Sequence, residues 1–72
     1  MDVATEAAIR ALLAEHPNLD ADDILTQVLG QRVLLRGRVR TQRERMEAEA
    51  AVRQVYGIEQ VDNELLVTGE PI

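Results

Sequence analysis

At 72 residues, 46% apolar and 29% charged with a formal net charge of −5, the chain has the composition of one small globular domain rather than a disordered segment. It contains no cysteine and no serine, which excludes disulfides and thiol chemistry, and its four threonines have no histidine beside them to activate a nucleophile. No apolar run approaches the ~20 residues that span a bilayer.

The opening MDVATEAAIRALL is acidic and lacks the basic start of a secretory signal. The expected compartment is the cytoplasm as written, or the periplasm if the domain is cut from a longer exported protein. Residues 4–16 have helical spacing, with Ile9, Leu12, Leu13 and His16 on one face. Pro17 disfavours a helical conformation for His16, so the helix is expected to end there. PNLDADD follows as a polar loop anchored by Leu19.

Residues 24–29 and 32–39 both alternate. Ile24, Thr26 and Val28 share one side of the first run, and Val33, Leu35, Gly37 and Val39 one side of the second. Gly30-Gln31 between them predicts a two-residue type II′ hairpin, which needs a positive φ at its first position. Thr41-Gln-Arg-Glu44 has the capping-box pattern of a helix start. The helix it opens is expected over 42–56, with Ala48, Ala51, Val52 and Val55 turned to the core and Gly57 as a left-handed cap. The last segment, IEQVDNELLV, reads as a third strand with Val61, Asn63, Leu65 and Val67 inward.

The expected fold is α+β in the order α-β-β-α-β. A right-handed crossover makes the second and third strands parallel, and both helices lie on one face of a three-stranded mixed sheet. Residues 1–72 read as a single domain, with its core in 4–67 and a C-terminal tail at 68–72.

Charge is unevenly placed. Residues 1–31, 32–45 and 46–72 carry net charges of −5, +5 and −5, and every cation is an arginine. With Val33, Leu35 and Val39 inward, period two sends Arg32, Leu34, Arg36, Arg38 and Arg40 to the opposite face. Leu25, Gln27 and Leu29 join them from the first strand, and Asp62, Glu64 and Leu66 from the third. This face admits two readings. Its arginines could simply pair across strands with Glu64 and Asp62. Alternatively, Arg32, Leu34, Arg36, Arg38, Arg40 and Arg43 with Leu25, Leu29 and Leu66 form a binding site for something anionic, since six arginines in fourteen residues exceed what solubility requires.

Other chemistry is sparse. His16 reads as a helix-end residue, and one histidine cannot build a zinc site. The cluster Asp20-Ala-Asp22-Asp23 lacks the glycine and distal glutamate of a calcium loop. No catalytic residue, metal ligand or cofactor is expected.

Val33-Leu-Leu35-Arg-Gly37-Arg-Val39, together with Ala48, Val52, Val55, Gly57, Ile58, Val61, Asn63, Leu65 and Val67 at their spacings, resembles the BON domain (bacterial OsmY and nodulation) from about Ile9 to Val67. The chain departs from that pattern with Gly30-Gln31 where Asn-Gly is common, and with Val52 where an alanine is common. The resemblance implies an αββαβ, non-enzymatic module associated with phospholipid surfaces and found in bacterial stress proteins, channels and secretins. It also allows a cation site, for potassium, built mostly from backbone carbonyls. Gly57 and Asn63 have structural roles here, Asn63 through a hydrogen bond to a backbone loop.

The partner expected on these grounds is an anionic phospholipid surface. The alternative is an acidic protein partner or a second copy of the chain, met through the arginine face or the sheet edges, with the chain a monomer or weak homo-oligomer. Nucleic acid is disfavoured by a pI near 4.7 and by the lack of an aromatic residue on the basic face.

Overall fold

The computed structural model describes residues 2–17 and 19–69; the proposed tail residues 70–72 lie outside them. The elements follow the expected order: α1 (Asp2–Ala14), β1 (Ile24–Leu29), β2 (Arg32–Val39), α2 (Gln42–Arg53) and β3 (Gln60–Val67). The sheet order is β1-β2-β3, with β1 antiparallel and β3 parallel to the central strand. Ile9 and Leu13 from α1, Ala48 and Val52 from α2, and Val28, Val33, Leu35, Val39, Val61 and Leu65 from the sheet form one buried cluster. Both helices therefore cover the same face, and Leu19 pins the intervening loop to it.

The hairpin turns as its residues require. Leu29 pairs with Arg32 across two residues, Gly30 has φ +62°, and Gln31 stays at negative φ, the type II′ pattern. At the start of α2, Thr41 Oγ1 accepts from the Glu44 N–H at 3.0 Å. The reciprocal half of the capping box differs from expectation, because the Glu44 carboxylate accepts from the Arg40 N–H at 2.7 Å.

The helix ends differ from the sequence expectation. The first helix stops at Ala14, two residues before His16, and a turn from the His16 carbonyl to the Leu19 N–H leads into the loop. Leu12 is 40% exposed and is not a core residue. The second helix stops at Arg53 with Gln54 as its C-cap, so Gly57 does not cap it. Its φ of +91° serves the separate turn that redirects the chain into β3. Ile58 and Glu59 belong to that connection rather than to the strand, with Glu59 and Gln60 donating to the Gln31 carbonyl. At the other end, Thr68 and Gly69 continue the pairing beyond β3 by donating to the Val39 and Arg40 carbonyls.

Gly37 interrupts the alternation of β2 for a steric reason. Its φ is +125°, and a Cβ built on it would lie 1.8 Å from the Asp23 carbonyl oxygen. That oxygen accepts from the Arg38 N–H, which ties the end of the loop to the central strand. The loop backbone thus fills the space a side chain would take.

Candidate functional site: the open face of the sheet

The face away from the helices is organised by register. Leu25, Arg36 and Glu64 lie in one row, Gln27, Leu34 and Asp62 in the next, and Leu29, Arg32 and Gln60 in the third. Arg38 lies opposite Leu66, beyond Ile24, the first residue of β1. Leu25, Leu29 and Leu66 are 71%, 53% and 65% exposed, and Leu34 between them is half-buried. The leucines therefore sit at both ends of the face rather than only at the hairpin side.

Most of the arginines are neutralised within the domain. Arg36 Nε meets Glu64 Oε1 at 3.0 Å and Arg32 Nε meets Asp62 Oδ2 at 3.4 Å, which is the cross-strand pairing the alternation suggested. Arg40 lies past the end of β2, and its guanidinium turns to Glu44 of α2 at 3.5 Å. Arg43 is not on the face. It belongs to α2 and pairs with Glu47 one turn on, at 3.3 Å. Among the described residues Arg38 has neither a carboxylate partner nor a guanidinium hydrogen bond. The open face thus carries three arginines against two acids, and its uncompensated cation is Arg38.

Arg45 was grouped with this basic segment in sequence but was not expected at the site. From α2 its Nη2 donates to the Asn63 carbonyl at 3.2 Å, on the outer edge of β3. Asn63 replies with a bond from its own Nδ2 to the Arg45 carbonyl at 2.9 Å. Its partner is thus helix backbone rather than a loop. Asn63 also donates to Glu49 at 3.1 Å and accepts from the Leu65 N–H at 3.2 Å. The hydrogen bond from Arg53, followed by that from Asn63, holds the Glu49 carboxyl below its ordinary pKa. Arg36, Arg38, Arg45, Glu64 and Leu66 wall an open groove over Gly37 and Leu65.

These bonds affect how the sheet can be used. On β3 the outward-facing Asn63 carbonyl and Leu65 N–H are both taken by side chains. On β1 the Val28 N–H donates to Glu6 of α1 at 3.4 Å, the Ile24 N–H is taken by Ala21, and Thr26 is buried. Side-chain blocking of free edges disfavours strand addition. The face is therefore more available to a partner than the edges are.

Among the described residues no helix is long and apolar enough to cross a membrane, and no group of three or more acidic or histidine side chains is placed to hold a metal ion. His16 lies with Leu12, Glu47, Ala50, Ala51 and Gln54 in a cleft between the helices, on the far side of the sheet from the arginines.

An αββαβ domain with one bare sheet face is a small α+β module built to present a surface rather than to enclose a substrate. Residues 2–69 match the BON domain, and the chain belongs to that family. The BON domain is a non-catalytic module linked to phospholipid and membrane binding. No curated protein matches the chain closely enough to add a more specific relative.

Proposed function

We propose that the chain docks on anionic phospholipid surfaces through the open face of its sheet, with Arg32, Leu34, Arg36, Arg38, Leu25, Leu29 and Leu66 in contact and Arg40 and Arg43 outside it. The observation that supports this reading is Arg38, which has no carboxylate partner among the described residues, beside exposed leucine on a face that neither helix covers. An arginine near an anionic leaflet contributes about 1 kcal/mol, and the exposed leucines add apolar contact at the headgroup boundary.

The net charge of −5 opposes approach, but weakly from a distance. The domain measures 39 × 21 × 17 Å, so acids on its helical side lie beyond the ~8 Å Debye length at physiological salt. Asp62 and Glu64 are close enough to matter, and each is already paired with an arginine; Asp20 and Asp23, which border a cavity with Arg38, oppose docking from nearby. The expected docking is weak and salt-sensitive.

Co-sedimentation with phosphatidylcholine vesicles, with and without phosphatidylglycerol, tests this at low and high salt. The expected result is binding only to the anionic vesicles, reversed by salt. Equal recovery in the supernatant with both vesicle types refutes it. Self-association through the same face is the rival reading, and a sedimentation coefficient that rises with protein concentration in the absence of lipid would favour it.

A further inference from the structure

We infer that the groove over Gly37 and Leu65 is the seat of one lipid headgroup phosphate, held by Arg38 with Arg36 and Arg45 beside it; this assignment rests on the docking reading above. The groove lies at the end of the face where β1 begins, so no residue of β1 lies opposite Arg38, whose N–H is bonded instead to the Asp23 carbonyl of the preceding loop. Three arginines and one acidic residue, Glu64, line the groove, and Arg38 also borders a neighbouring cavity with Asp20, Asp23 and Glu44. Each guanidinium has five N–H donors. Glu64 engages the Nε of Arg36, and the Asn63 carbonyl engages an Nη of Arg45, so both arginines retain donors. Among the described residues none engages the Arg38 guanidinium.

The shape suits a headgroup presented by a surface. The groove is open rather than enclosed and runs over Gly37 and Leu65. Leu66, opposite Arg38 and 65% exposed, provides an apolar wall beside the charge. A phosphate bound at the arginines would place the glycerol and upper acyl carbons toward that leucine. The remaining arginine of the face, Arg32, is at the other end and already held by Asp62 and Gln60.

The test compares binding to phosphatidylglycerol-containing vesicles for the wild-type chain, Arg38→Ala, Arg32→Ala and Glu64→Gln, each checked for native circular dichroism. Arg38→Ala and Arg32→Ala change net charge equally and differ only in place. Loss of Arg38 should weaken binding about five-fold, the equivalent of ~1 kcal/mol for one arginine at an anionic leaflet. Loss of Arg32 should weaken it less, and Glu64→Gln, which frees Arg36, should tighten it. Equal losses for the two arginine variants overturn the groove and leave the docking reading intact. Failure of the wild-type chain to bind at all overturns both. In a second arm, arginine Nε–Hε NMR signals are followed with soluble short-chain phosphatidylglycerol and with inorganic phosphate. Shifts of Arg36, Arg38 and Arg45 with the lipid alone support the assignment. An equal, saturating response to free phosphate makes the groove a simple anion site and overturns its assignment to a lipid.

Discussion

Replacing Gly37 by alanine should be among the most damaging single-methyl changes this chain can suffer. The new Cβ would lie 1.8 Å from the Asp23 carbonyl oxygen and 2.9 Å from its carbon, both backbone atoms that cannot rotate away. Restoring contact distance moves the loop by more than an ångström and breaks the bond from the Arg38 N–H to Asp23. Overpacking of this kind costs about 1–3 kcal/mol, the lost hydrogen bond about 0.5–1.5 kcal/mol, and a non-glycine residue at φ +125° about 1–3 kcal/mol. The combined loss, about 2.5–7.5 kcal/mol, is a large part of the ~4–11 kcal/mol expected for a chain of this length. In a domain this small each kcal/mol moves the midpoint by about 4–8 °C, so Tm should fall by at least ~10 °C. Gly57→Ala is the internal control, since a Cβ there meets nothing within 4 Å and only the φ of +91° opposes it. Thermal melts followed by far-UV circular dichroism decide the matter. A Gly37→Ala midpoint equal to or above that of Gly57→Ala would refute the steric account.

Three further expectations follow from individual contacts. Thr41→Ala removes the acceptor of the Glu44 N–H and should cost about 1 kcal/mol in urea denaturation, with Thr41→Ser close to wild type. Glu49 has a folded pKa below its ordinary value near 4.5, so its contribution is complete above that value and is lost as pH falls through the lowered one. Glu49→Gln should therefore show a smaller drop in Tm than the wild type on acidification from about pH 5 to pH 3, and parallel curves would contradict the assignment. Asn63→Ala removes three side-chain hydrogen bonds and uncovers the Leu65 N–H at the sheet edge. It should cost about 1–3 kcal/mol and make the chain associate at high concentration, which sedimentation velocity would detect.

The fold was legible because its signals are local. Alternation over 24–29 and 32–39, a glycine at the first turn position and a threonine three residues before Glu44 each act within a few residues. The helix ends were less legible because they depend on what the next segment does. Gly57 has the chemistry of a helix cap, but it is used three residues later, where the chain turns to reach Gln31. The need for Gly37 is set by Asp23, fourteen residues earlier in the chain, and nothing in the alternation of β2 reveals it. Asn63 was placed inward by parity, but its helix partner Arg45 becomes visible only once α2 is docked on β3.

The candidate site divides along the same line. Period two was enough to assign Arg32, Leu34, Arg36 and Arg38 to one face, and it suggested Asp62 and Glu64 as their counterions. It could not say which cation would be left over, because that depends on where β1 begins. Leu25 is the first residue of β1 on the open face, and its row ends in the Arg36–Glu64 pair. The next row contains only Arg38 and Leu66. The basic block of the sequence therefore overstates the charge available for binding. Arg40 and Arg43 are drawn to α2 by Glu44 and Glu47, Arg32 and Arg36 are held by β3, and Arg45 is committed to the edge. Under the docking reading, an anionic surface approaching this face would meet Arg38, the one guanidinium without a partner among the described residues, and a set of leucines. Affinity should therefore follow the place of a charge more than the number of charges, and this separates a built docking site from a diffuse basic patch.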